Sequence, residues 1–160
     1  MSEAASTPRV GLGFDVHPRQ TGRVLMLGGV IFENEDGLRG HSDGDAVCHA
    51  VADAMLGAAG LGDIGVHFPE TDPAFAWMAG ADLLARVVGL LREAGHTTTS
   101  VDLTVICEGP AIDPRRQEMR EALAATLGLP AALVSVKATR PEGLGLSGDG
   151  IGCVAVAVVR

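Results

Sequence analysis

Polar groups and glycines are concentrated in residues 40–65, which read GHSDGDAVCHAVADAMLGAAGLGDIG. Six of these 26 positions are glycine, and the polar side chains include two histidines, one serine and four aspartates. Glycine lets a backbone approach a ligand closely, and histidines and carboxylates are common metal ligands. Solubility alone does not require this pattern, so the stretch predicts a binding site.

A helix is predicted inside this stretch. Apolar residues from Val47 to Ala58 recur every three or four positions, which is the spacing of one helix face. Ser42 and Asp43 are both good N-cap residues, so we expect the helix to begin at one of them and to end near Ala59.

Three polar residues of this helix, Asp45, His49 and Asp53, are spaced four apart and therefore form one row. A solvated polar face explains any one of them as well as a binding role does. His49 is the strongest candidate ligand, because it lies a turn or two into the helix, close to the glycine-rich entry.

Residues 9–16 have the pattern of a strand and residues 24–31 that of a second one. The segment 18–22 between them is rich in turn formers, which predicts a hairpin. Side chains of a strand alternate between its two faces, so Asp15 and His17 emerge on the same side about 7 Å apart. Two candidate metal ligands then share a face.

The rest of the chain continues this mixture of helices and strands. The predicted elements are a loop at 60–73, a helix at 81–94, a strand at 101–107, a helix from 113 to about 127, and strands at 134–138 and 151–159. We expect the glycine-rich segment 139–150 near the site. The order predicts one α+β domain, residues 9–160, with a mixed sheet and helices packed on one face as a two-layer sandwich. Residues 1–8 are predicted to form a flexible tail.

The composition argues against several classes of protein. A net charge of -8 repels nucleic-acid phosphates, and one Trp, four Phe and no Tyr provide few platforms for stacking bases. The purest apolar run, 153–159, is far shorter than the ~20 residues that span a bilayer, and the N-terminus lacks the pattern of a signal peptide. We expect a cytoplasmic protein with no nucleic-acid or membrane partner. Cys48, Cys107 and Cys153 form no CxxC pair, which favours reduced core thiols.

Four motifs occur together in the order and spacing of a known family. They are GFDVH at 13–17, HSDGD at 41–45 with a histidine four residues on, GDIG at 62–65 with FPETDP at 68–73, and KATRPEGLG at 137–145. Together they resemble the 2-C-methyl-D-erythritol 2,4-cyclodiphosphate synthase family, over residues 10 to about 159.

The resemblance implies an enzyme of non-mevalonate isoprenoid biosynthesis. Such an enzyme converts 4-CDP-2-C-methyl-D-erythritol 2-phosphate to 2-C-methyl-D-erythritol 2,4-cyclodiphosphate and CMP. The nucleophile is an ionised phosphate oxygen of the same molecule, so catalysis can rest on positioning the substrate and stabilising charge at phosphorus. Two alternatives stay open: a metal-dependent phosphohydrolase, in which similar groups activate water, and a non-catalytic trimer that binds metal or lipid diphosphate.

The resemblance also implies two metal sites. It assigns zinc to Asp15, His17 and His49, and magnesium or manganese to Glu142. One carboxylate and two imidazoles suit zinc with the fourth position open for a phosphate oxygen, and an oxygen ligand suits a harder cation. His41 competes as a zinc ligand, but the resemblance places it beside the substrate as a catalytic residue.

Further site residues follow from the resemblance. The implied catalytic residues are His41, Thr139 and Arg140. The implied substrate-binding residues are Asp15, His17, His41, Ser42, Asp63, Ile64, Gly65, Phe68, Pro69, Glu70, Thr71, Asp72, Cys107, Glu108, Gly109, Pro110, Ala111, Ile112, Asp113, Ala138, Thr139, Arg140, Pro141, Glu142, Leu146 and Asp149. Residues 63–65 and 68–72 would contact the methylerythritol part, whereas 107–113 and 138–139 would surround the cytidine.

Several positions depart from the common family pattern. Arg140 replaces a threonine that assists the transition state, and it could either stabilise phosphoryl charge or point to solvent. Ala111 replaces a lysine of the cytidine segment. Leu146 and Asp149 stand where Phe and Arg often line a central cavity for isoprenoid diphosphates. A carboxylate repels a diphosphate, so we predict no such ligand here.

The resemblance finally implies a homotrimer, with sites between neighbouring subunits and a central axis lined by the sheets. A chain whose candidate ligands fall in an early half and a late half is consistent with that arrangement.

Overall fold

The computed structural model describes residues 7–145 and 149–160. Its five strands are β1 Arg9–Leu27, β2 Val30–Leu38, β3 Thr98–Ile106, β4 Val134–Thr139 and β5 Gly150–Val159. They form one sheet in the order β2-β1-β5-β3-β4, in which β3 and β4 are parallel and the other neighbours antiparallel. The helices are α1 Ala46–Ala59, α2 Ile64–His67, α3 Gly80–Glu93 and α4 Arg116–Leu127. The predicted α+β class with a mixed sheet is confirmed.

Helix α1 packs directly on strand β1. A Cβ atom on Gly11 would lie 1.9 Å from the carbonyl oxygen of Ala54, and one on Gly13 would lie 1.9 Å from that of Ala50. Only glycine permits this approach of backbone to backbone. The inward face of β1 is therefore shaped to bring α1, and with it His49, close to the strand.

The close packing of α1 on β1 predicts that a larger residue at the contact lowers the stability of the fold. Gly13→Ala is expected to lower the free energy of unfolding by about 2–3 kcal/mol, because the added methyl group must push α1 off the sheet. Gly57→Ala on the same helix is the matched control, since a Cβ there meets nothing within 4 Å. It is expected to raise stability by about 0.5–1 kcal/mol through helix propensity. Urea unfolding checks both values, and equal stabilities of the two variants would contradict the packing argument.

The prediction of a hairpin turn at residues 18–22 was wrong. Strand β1 runs through this segment, and the turn to β2 is at Gly28 and Gly29, whose φ angles are 62° and 78°. A two-residue hairpin turn with positive φ at both positions favours glycine at both. The turn formers at 18–22 instead coincide with a change of register, between the pairs Gln20 with Gly37 and Val24 with Asp36.

The predicted start of α1 was also wrong, although its predicted end at Ala59 is confirmed. The N-cap is Asp45, neither Ser42 nor Asp43. Gly44 has a φ of 74°, a left-handed conformation that turns the chain immediately before the cap. The cap geometry therefore begins one residue after this glycine.

The Asp45 side chain is buried completely and is not part of a solvated face. One carboxylate oxygen accepts from the backbone N–H groups of Val47, Cys48 and Gly28 at 2.8–3.1 Å, and the other accepts from that of Gly29 at 2.8 Å. This carboxylate thus joins the β1–β2 turn to the start of α1.

The remaining predicted elements are present with shifted ends. The predicted loop at 60–73 contains the short helix α2, with Asp63 as its N-cap. The strand predicted at 101–107 begins three residues earlier, and the helix predicted from residue 113 begins with the 3-10 turn Asp113–Arg115 before α4. The described helices all fall short of the length and apolar character required to cross a membrane. Residues 1–6 of the predicted tail lie outside the described residues.

Candidate functional site

Strand β1 and helix α1 bring together the three predicted zinc ligands. Asp15 Oδ2 lies 2.7 Å from His17 Nε2 and 3.0 Å from His49 Nδ1, and the two nitrogens are 3.3 Å apart. In the part of the chain that the structure describes, these residues form the one group of three or more candidate ligands that could share an ion.

The donor set fits a zinc ion. Ligands at about 2.0–2.1 Å from a tetrahedral zinc are separated by about 3.3 Å, close to the spacing found here. His17 Nδ1 donates to the backbone carbonyl of Arg39 at 2.8 Å, which leaves Nε2 to present its lone pair. His49 Nε2 lies 3.2 Å from the Ser42 hydroxyl, so its Nδ1 faces the candidate ion position.

The charges at this centre favour a cation. Burial raises the pKa of Asp15, but hydrogen bonds and attraction from His17 and His49 outweigh it and lower that pKa to about 2. Burial lowers the pKa of His17, yet the hydrogen bond and negative charge of Asp15 raise it above its usual value. The carboxylate is therefore ionised at neutral pH and is available as an anionic ligand.

A cavity of about 160 Å³ opens beside these ligands. The predicted site residues that line it are Asp15, His17, His41, Ser42, His49, Ile64, Gly65, Phe68 and Glu70. His41 stands apart from the ligand group, with its Nδ1 at 3.3 Å from Glu70 Oε2 and its side chain 65% exposed. It therefore faces the cavity and is not part of the candidate metal centre.

A second cavity, of about 240 Å³, lies between the end of β3 and the end of β4. Its lining residues are Cys107, Glu108, Pro110, Ala111, Ile112, Asp113, Ala138, Thr139 and Arg140. They coincide with the two segments predicted to surround the cytidine, together with Arg140. Burial raises the pKa of the Cys107 thiol, so this group stays neutral.

Other predicted residues lie outside the lining of both cavities. These residues are Asp63, Pro69, Thr71, Asp72, Gly109, Pro141, Glu142 and Asp149. Asp63 and Asp72 act as N-caps, accepting from Val66 N at 3.0 Å and Ala74 N at 2.9 Å. Glu142 has a φ of 52° in the turn after β4 and does not join the Asp15 group. Leu146 lies outside the described residues.

Sequence reasoning missed part of the site. Phe75, Met78 and Leu83 also line the first cavity. Arg23, in β1, contacts the backbone of the loop that carries His41. Its position next to the strand predicted at 24–31 gave no sign of this contact. Such contacts join segments far apart in the chain, so no local pattern reveals them.

Comparison with known proteins shows the family of this chain. The YgbB family profile matches residues 8–160, nearly the whole chain. The chain belongs to the YgbB family. Among YgbB relatives, 2-C-methyl-D-erythritol 2,4-cyclodiphosphate synthase of Symbiobacterium thermophilum is 51% identical over 94% of this chain and 97% of its own length.

Solved structures in this family have the same fold. The bifunctional IspDF of Campylobacter jejuni matches with a TM-score of 0.90 and 37% identity, over 96% of this chain and 42% of that one. A CDP-bound 2C-methyl-D-erythritol-2,4-cyclodiphosphate synthase matches with a TM-score of 0.87 and 33% identity, over 95% and 100% of the two chains. The family recognised from four sequence motifs is thereby confirmed.

Proposed function

We propose that this YgbB family protein converts 4-CDP-2-C-methyl-D-erythritol 2-phosphate to 2-C-methyl-D-erythritol 2,4-cyclodiphosphate and CMP. The observation that carries the proposal is the Asp15, His17 and His49 group at the edge of a cavity, in a chain 51% identical to a synthase of that name. The second cavity supports the proposal, because its lining comes from the two segments that the resemblance assigns to the cytidine, together with Arg140.

The proposed phosphoryl transfer requires stabilisation of the phosphate charge but no protein nucleophile. The 2-phosphate oxygen attacks the β-phosphorus, the bond from that phosphorus to the bridging oxygen breaks, and CMP leaves with the oxygen. A bound dication supplies Lewis-acid stabilisation of the phosphate charge. His41 reaches the cavity with an exposed imidazole and supports the reacting phosphates, while Thr139 and Arg140 support the leaving nucleotide.

The zinc assignment at Asp15, His17 and His49 rests on the ligand chemistry described above. The second cation, magnesium or manganese, is assigned to Glu142, where it would neutralise the diphosphate. Because Glu142 stands apart from the zinc ligands in one chain, its cation requires phosphate oxygens, or a neighbouring subunit, to complete the coordination.

A homotrimer would bring the two half-sites together. The two cavities share no lining residue, so one chain presents a metal half and a nucleotide half separately. The outward side chains of β1 form a contiguous apolar strip that is suited to an axis between subunits. They are 41–69% exposed and comprise Val10, Leu12, Phe14 and Val16.

Leu12→Asp is expected to shift sedimentation from trimer to monomer and to abolish turnover. An active wild-type monomer would refute this part.

The decisive experiment follows the purified protein and the cytidylylated substrate by phosphorus NMR, with and without a chelator. We expect CMP and the cyclic diphosphate to appear, and turnover to stop when metal is removed. Open phosphates in place of the ring would indicate a phosphohydrolase, and absence of any turnover would indicate a binding protein.

Residues 9–160 would act as the single catalytic domain, in the cytoplasm, without nucleic-acid or membrane partners. The expectation that no isoprenoid diphosphate binds stays a prediction.

A further inference from the structure

Three consecutive backbone carbonyls around His41 are each held by a donor from a distant part of the chain. Arg23 Nη1 donates to the carbonyl of Gly40 at 2.8 Å, and Arg23 Nη2 donates to that of Ser42. The backbone N–H of Trp77 donates to the carbonyl between them, on His41, at 2.8 Å. These bonds hold the loop 40–42, which has no regular secondary structure of its own.

The two donors also contact each other. The Arg23 guanidinium carbon lies 5.5 Å from the centroid of the Trp77 ring, within the range of a cation–π interaction. Trp77 is 78% exposed and has a φ of 65°, a conformation unfavourable for a bulky residue. The strained conformation aims the N–H of Trp77 at His41 while the ring covers the Arg23 side chain.

The side chains of the held loop need this support. His41 is 65% exposed, and its Nδ1 lies 3.3 Å from Oε2 of Glu70, whose side chain is itself 76% exposed. The Ser42 hydroxyl lies within hydrogen-bond distance, 3.2 Å, of Nε2 of His49. The position of the loop backbone therefore decides where the His41 imidazole lies and how the His49 ligand is oriented. A displacement of about 1 Å can cost roughly 10²-fold in rate.

We propose that Arg23 and Trp77 form a clamp on the loop 40–42, and that Arg23 is a positioning residue for the reaction. The inference rests on the proposed function for its effect on rate, whereas the clamp itself stands on the contacts above. The guanidinium is suited to this role because its rigid planar fork presents separate N–H groups to the two carbonyls, whereas an ammonium group is a compact charge on a flexible stem.

Arg23→Met and Arg23→Lys test the clamp in the full-length protein, with Arg92→Met as the matched control. Arg92 lies in the last turn of α3 and lines a different cavity. With the cytidylylated substrate, we expect Arg23→Met to lower kcat by about 10- to 100-fold while KM changes little, because the loop acts on the transition state. Arg23→Lys is expected to restore part of the loss, and Arg92→Met to match the wild type.

Trp77 provides a readout that does not depend on activity, since it is the single tryptophan of the chain. Fluorescence anisotropy reports the mobility of its indole. We expect Arg23→Met to lower the anisotropy, Arg23→Lys to lower it less, and Arg92→Met to leave it unchanged. Trp77→Gly keeps the backbone N–H but removes the ring, so a loss in kcat of only a few-fold is expected from it.

The outcomes separate the clamp from the proposed function. An active wild type with unchanged kcat and anisotropy in Arg23→Met would overturn the clamp alone. A wild type that does not turn over the substrate would overturn the proposed function, and the anisotropy series would still test the clamp. If Arg23→Met does not fold, Arg23→Lys decides: wild-type kcat and anisotropy in that variant would refute the need for a two-carbonyl fork.

Discussion

Asp15→Asn is expected to lower kcat by about 10³-fold. The substitution keeps the shape of the side chain but removes the negative charge that lies 2.7–3.0 Å from the two imidazole nitrogens. A neutral amide oxygen is a poor zinc ligand, and metal Lewis-acid catalysis supplies several kcal/mol of transition-state stabilisation. A loss of about 4 kcal/mol corresponds to roughly 10³-fold in rate. The measurement is CMP release, together with the metal content of the purified variant.

The matched control is Asp102→Asn, the same chemical change on β3. Asp102 is half exposed, pairs with Lys137 Nζ at 2.6 Å and lines neither cavity. This variant is expected to keep wild-type kcat and metal content, because an exposed ion pair contributes little. If Asp15→Asn keeps one metal ion per chain and activity within tenfold of the wild type, then Asp15 is not a zinc ligand.

The second large effect is on stability, where Asp45→Ala is expected to lower the free energy of unfolding by about 3–5 kcal/mol. The completely buried carboxylate accepts four backbone N–H groups, two from the Gly28–Gly29 turn and two from the first turn of α1. Alanine leaves all four donors unpaired and a cavity beside them. Urea unfolding followed by circular dichroism provides the measurement.

Two further variants locate the cause of this loss. Asp45→Asn keeps the volume but turns an amide NH₂ towards N–H donors, so it is expected to recover less than half of the lost stability. Asp63→Ala removes the N-cap of the four-residue helix α2, where the side chain accepts one N–H, and is expected to cost about 1 kcal/mol or less. Similar losses in Asp45→Ala and Asp63→Ala would show that Asp45 acts only as an ordinary helix cap.

Much of the fold could be predicted because it depends on local periodicity. The end of α1 at Ala59 and the strands at 134–139 and 150–159 follow from patterns of apolar residues that neighbouring positions create. The hairpin was misplaced because the sequence offers turn formers at both 18–22 and 28–29. The choice between them depends on pairing across the sheet and on the bonds from Asp45 to Gly28 and Gly29.

The candidate site divides in a similar way. Strand alternation placed Asp15 and His17 on one face, and the motifs indicated His49 as a third ligand. Both predictions were possible because residue types and their spacing can be read directly from the sequence. The tertiary structure alone revealed that Asp45 is buried, that Ser42 contacts His49, and that Arg23 and Trp77 hold the loop of His41. Each of these contacts depends on how separate segments pack in space. Backbone carbonyl and N–H groups are the same in nearly every residue, so the residue type does not show which of them form such a contact.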